Sequence, residues 1–128
     1  MPASFNLVPT NRVAQQFGNT RLISALSNNA TVVKAGPGSI VSIVASNINA
    51  AIRYLKLYDK ATTPAPASDN ALLLCVIALP ANGSPVFIAP PSGLQFAAGI
   101  SFVLVTGISD TDNTSVAASE QLVNIQYV

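Results

Sequence analysis

Arg53-Tyr54-Leu55-Lys56-Leu57-Tyr58-Asp59 alternates strictly. In an extended chain Arg53, Leu55, Leu57 and Asp59 share one side, and Tyr54, Lys56 and Tyr58 share the other. A period of two predicts a β-strand with Leu55 and Leu57 turned to a core. Strand signals recur on both sides of it. Upstream lie the apolar run Arg21–Leu26, the β-branched Thr31–Lys34 and the stretch Ser39–Ile48. In the last, Ile40, Val41, Ile43 and Val44 crowd together, which predicts a strand apolar on both faces. Downstream lie Leu72–Leu79, Val86–Ile88, Leu94–Phe96, Ile100–Thr106 and Leu122–Val128. Ser27-Asn28-Asn29, Gly36-Pro37-Gly38, Pro80–Pro85 and Pro90-Pro91-Ser92-Gly93 separate them as turns.

Eight or nine short strands with regular turns predict an all-β fold, an antiparallel β-sandwich of jelly-roll-like type. Ala61–Asn70 reads as a loop because Pro64 and Pro66 cannot donate to a ladder. Gly107–Ser119 reads as a polar loop, with one helical turn expected over Val116–Gln121. Residues 1–20 lack a period and read as an N-terminal arm or edge segment; 21–128 read as the sandwich domain. Alternation places Leu55, Leu57, Leu73, Cys75, Ile77, Phe102 and Leu104 in the core.

Composition narrows the function. Of 128 residues, 50% are apolar and 9% charged, against about 25% charged in an average domain. Six basic and five acidic residues give a net charge of +1, which argues against phosphate-driven binding of nucleic acid. The longest apolar run, Ala71–Leu79, stops at Pro80, short of the roughly 20 residues a membrane helix needs. The start Met1–Asn6 has no basic region before an apolar one, so synthesis in the cytoplasm without a signal peptide is expected. So little charge protects a monomer poorly against association, and a homo-oligomer is expected.

Chemistry finds little purchase. There is no histidine, so Ser-His-Asp and Cys-His catalysis are excluded. Cys75 stands alone, within an apolar run, and reads as an inert buried thiol. Asp110-Thr111-Asp112-Asn113 opens like a calcium loop but lacks the later Gly and Glu, so an Asx turn is the expectation. Five acids make a two-carboxylate glycosidase conceivable, yet none pairs by position. No enzyme activity, cofactor or metal is expected. Tyr54, Lys56 and Tyr58 form an aromatic-basic stripe, either a stacking surface for glycan or single-stranded nucleic acid or a plain solvent- or partner-facing strand.

Five stretches together resemble a family of small proteins encoded among tailed-bacteriophage structural genes. They are Thr31–Ala35, Asn47–Ala61, Gly93–Ile100, the loop from Thr106-Gly107 to Asp112, and Val123–Tyr127. They occur in the family's order and span roughly Arg21 to Val128. The resemblance implies a virion component, with trimeric capsid decoration as the leading role, bound to the major capsid protein. A tail-fibre or host-recognition module binding surface glycans is the alternative. Partner-contact candidates are Tyr54, Lys56 and Tyr58, together with Phe5, Leu7, Val8, Arg12, Val13 and Phe17 of the N-terminal segment.

Overall fold

A computed structural model describes residues 17–128. Nine strands appear among them: β1 (Gly18–Ile23), β2 (Thr31–Lys34), β3 (Gly38–Asn47), β4 (Arg53–Asp59), β5 (Leu73–Leu79), β6 (Val86–Ile88), β7 (Leu94–Phe96), β8 (Ile100–Val105) and β9 (Gln121–Tyr127). They form two antiparallel sheets. One has the order β1-β9-β3-β6, with β7 also pairing β3; the other has the order β2-β8-β4-β5. The chain passes back and forth between the sheets, and the two inner faces close an all-β sandwich. The sandwich begins at Gly18 rather than Arg21, because Gly18-Asn19-Thr20 pair with Tyr127, Gln126 and Ile125.

The core forms where the alternation predicts. Leu55, Leu57, Phe102 and Leu104 are fully buried, facing Ile40, Ile43, Val123 and Ile125 of the other sheet. Two expectations are corrected by bulges. Strand β3 is buried on one face only: a register shift at Val41 brings Ile40 and Ile43 to the same inner side, while Val44 is exposed. A second shift, between Leu57 and Tyr58 on the β4–β5 ladder, pairs Leu73 with Tyr58. One extra residue exchanges the faces. Leu73 therefore packs with Tyr58, Val103 and Val105 outside the main core, while Cys75, half-buried on this edge strand, packs against the main core as expected.

The loops hold more order than their composition shows. Pro66–Asp69 make one helical turn, α1, with Pro66 in its first turn, where a missing N–H costs nothing. Asp69 accepts from Ala65 N–H at 2.7 Å and pairs with Lys60 at 2.5 Å. Val116–Gln121 is not helical. Val116 N–H donates to Ser27 O at 3.0 Å, and Ser119 has φ 59°. Asp59 accepts from the N–H groups of Ala97, Ala98 and Gly99 at 2.7–3.2 Å, fixing the turn into β8. There a Cβ on Gly99 would sit 2.6 Å from Ala61 Cα, so the position requires glycine.

Candidate partner interface

The outer faces of the two sheets differ. On β2-β8-β4-β5 the outward row from β4 is Tyr54, Lys56 and Tyr58, as the alternation predicts. Two of its three side chains are shut off from solvent. Lys56 and Tyr58 are 0% exposed and Tyr54 is half-buried. The Gly107–Ser115 loop lies over them: Lys56 Nζ donates to the carbonyls of Ser109 and Asp112. Tyr58 packs on Val103, Val105 and Leu73. The stripe is thus a second small core, and as contact candidates Lys56 and Tyr58 are corrected. The sequence pattern assigns faces but does not say which loops fold back over them.

Titration behaviour follows this roof. Burial pushes the Lys56 ammonium below its ordinary range, against the opposing pull of Asp112 and Asp110. Burial, with the charges of Asp69 and Asp110, pushes the Tyr58 phenol up to about 12. The Thr114 hydroxyl and N–H hold Asp112 below the usual carboxylate range. Asp112 with Thr114 is the Asx turn expected from the sequence, and its oxygens are engaged by the loop itself. Among the described residues no group of three or more Cys, Asp or Glu side chains is placed to hold a metal ion.

Among the described residues, nothing folds over the outer face of β1-β9-β3-β6. Ladder register sets Arg21, Asn124, Val44 and Phe87 in one row across all four strands. A second row runs Ile23, Leu122, Ser46. Phe87 is 70% exposed, Ile48 64% and Ile23 50%. Apart from Arg21, the outward residues of these strands are apolar or neutral amides and hydroxyls. Val44 and Phe87 are neighbours in the first row, and Ile23 and Leu122 in the second.

At the Ile23 end the face opens into a groove of about 260 Å³. Ile23, Ile48 and Leu122 line it, with Arg21 and Glu120 at its walls. Glu120 accepts from Asn49 Nδ2 at 2.6 Å and has no ion pair among the described residues. Below lies a buried polar seam. Asn47 Nδ2 donates to Ala51 O at 2.9 Å, and Gln121 Nε2 donates to Asn47 Oδ1 at 2.8 Å. Ser24 Oγ donates to Ala117 O at 2.7 Å. This seam stiffens the end of the sheet that carries the groove. Neither this face nor the groove was singled out from sequence; the exposed Ile23, Ile48 and Phe87 read there as ordinary strand hydrophobes.

Of the N-terminal candidates, Phe17 is 46% exposed just before β1. Phe5, Leu7, Val8, Arg12 and Val13 lie outside the described residues. No protein-family model matches the chain, and no curated protein is significantly similar to it.

Proposed function

We propose that the chain is a structural subunit of a tailed-bacteriophage particle, a cement or decoration protein that binds copies of itself and the major capsid protein. One observation carries this reading: the nearly uncharged outer face of β1-β9-β3-β6, which no described residue covers and on which Phe87, Ile48 and Ile23 are exposed. A subunit that gains its binding energy from buried apolar area has use for such a face. The strand orders β1-β9-β3-β6 and β2-β8-β4-β5 are those expected of two interlocked Greek keys, and support the jelly-roll reading. That architecture serves viral shells among other proteins, so it supports the viral setting by analogy. The resemblance of the five sequence stretches supports it separately. The proposal gives the chain no catalytic step.

The glycan-binding alternative is weakened at Tyr58, which is buried and offers no stacking platform, while Tyr54 is half-buried. Mass spectrometry of purified virions that encode the chain tests the proposal. Many copies per particle, released without loss of the tail, support it; absence from the virion refutes it.

A further inference from the structure

The roof over β4 is tied down by a buried charge. The Lys56 ammonium donates to the carbonyls of Ser109 and Asp112, the second at 3.3 Å. Those two residues are the ends of one tight turn, closed by Asp112 N–H to Ser109 O at 2.9 Å. The turn thus brings two carbonyls to a single nitrogen. An ammonium carries three N–H donors and no acceptor, and carbonyl oxygens satisfy it.

The carboxylates of the loop are used elsewhere. Asp112 Oδ1 accepts from the Thr114 N–H at 3.0 Å and from the Thr114 hydroxyl at 2.5 Å. Its Oδ2 crowds the place that a Cβ on Gly107 would take, so that position requires glycine. Asp110 is exposed, and neither acid forms an ion pair with Lys56. A calcium ion takes roughly six to eight oxygens, carboxylates among them. Two carbonyls without a carboxylate suit a monovalent ammonium instead. Asp110–Asn113 opens like a calcium loop, yet the turn closes round the chain's own lysine.

The lysine stem stands in an apolar well. Val76 of β5 and Val103 of β8 are its ladder partners, and Tyr54 and Tyr58 stand two residues away on the same side. Ladder partners flank a side chain on its own face of a sheet. Burial works against the charge, and the attraction of Asp112 and Asp110 offsets part of that cost. The tether makes up the rest, because it holds the ammonium at a high effective concentration.

We infer that the Gly107–Ser115 loop is a binding site for a primary ammonium, which Lys56 fills from within the same chain, and that this ammonium rather than a metal ion sets the conformation of the loop. Cutting Lys56 back to alanine removes Cγ, Cδ, Cε and Nζ, which together make one n-propylammonium ion. The variant keeps an apolar channel with two carbonyls at its end. It should take up that ion from solution, at roughly millimolar concentration or above since the tether is gone.

The test uses full-length Lys56→Ala and amide hydrogen exchange within Gly107–Ser115, read by mass spectrometry. Exchange there should be faster than in the unmodified chain. Titration with n-propylammonium chloride should slow it saturably, by about threefold once the amine reaches twice its Kd, and raise the melting temperature. Tetramethylammonium chloride has no N–H and should do neither at equal ionic strength. Lys56→Met fills the channel and should not respond to n-propylammonium. Calcium chloride should leave exchange in the unmodified loop unchanged. Three results overturn the inference: exchange in Lys56→Ala no faster than in the unmodified chain, n-propylammonium acting no better than tetramethylammonium, or an equal response from Lys56→Met. Calcium protection of the unmodified loop also overturns it, in favour of a metal site. If Lys56→Ala does not fold alone, refolding decides. Recovery with n-propylammonium and not with tetramethylammonium supports the inference, and no recovery with either overturns it.

Discussion

Leu57→Ala probes the reading of β4 on which the fold rests. Leu57 is fully buried, with Cys75 and Phe102 as its ladder partners on either side. The substitution removes three carbon groups, worth about 2.4 kcal/mol at roughly 0.8 kcal/mol each. Leu57 sits on the central strand pair of its sheet, where neighbours paired on both sides resist collapse. A residual void of about 60 Å³ adds about 1.4 kcal/mol at roughly 24 cal/mol per Å³. The expected loss is therefore about 4 kcal/mol, a large part of the 5–15 kcal/mol that holds an ordinary domain together. At roughly 3 °C per kcal/mol, the melting temperature falls by about 12 °C. Urea unfolding followed by far-UV circular dichroism measures it, with the slope m unchanged. Leu74→Ala, at an exposed position on β5, should cost less than about 0.5 kcal/mol and serves as the control. A loss below about 0.5 kcal/mol for Leu57→Ala would mean that Leu57 does not face the core.

Three further outcomes are expected. Lys56→Ala leaves the carbonyls of Ser109 and Asp112 without their donor; it should cost about 1–3 kcal/mol and speed protease cleavage within Gly107–Ser115, with Lys56→Met costing less because the stem still packs. Backbone N–H groups, that of Ala98 foremost, hold the Asp59 carboxyl below the ordinary carboxylate range, so the unfolded chain takes up the proton more readily. Stability from Asp59 is then present above about pH 4 and lost as the pH falls through the lowered value; Asp59→Asn should flatten the dependence of melting temperature on pH below about pH 4. Burial raises the Cys75 thiol pKa, so at pH 8 a thiol reagent should label the folded protein at least about tenfold more slowly than the unfolded one; equal rates would place the thiol in solvent.

The strands were legible because period two and turn residues are local signals. Each of the nine strands falls within about three residues of its place in the sequence reading. The misreadings share one physical origin, since each depends on contacts between residues far apart in the chain. Ile40 and Ile43, three apart, share a face only because a bulge inserts Val41. Leu73 changes face for the same reason one ladder away. Tyr54, Lys56 and Tyr58 share a side as read, but burial depends on whether Ser109 and Asp112, more than fifty positions later, fold over Lys56. The apolar outer face escapes a reading of the sequence because Ile23, Val44 and Phe87 belong to separate strands and meet only through the ladders to β9 and β3. Once the ladders are known, the spacing of outward residues follows from the pleat.

As proposed, the chain is a shell component held by the outer face of β1-β9-β3-β6. A subnanometre reconstruction of the virion that encodes it tests this most directly. A regular array of β-sandwich density on the capsid is expected, with the Phe87, Ile23 and Ile48 face buried against neighbouring subunits and the Gly107–Ser115 roof turned outward. Density confined to the tail, or sandwiches on the shell with that sheet face open to solvent, would contradict it.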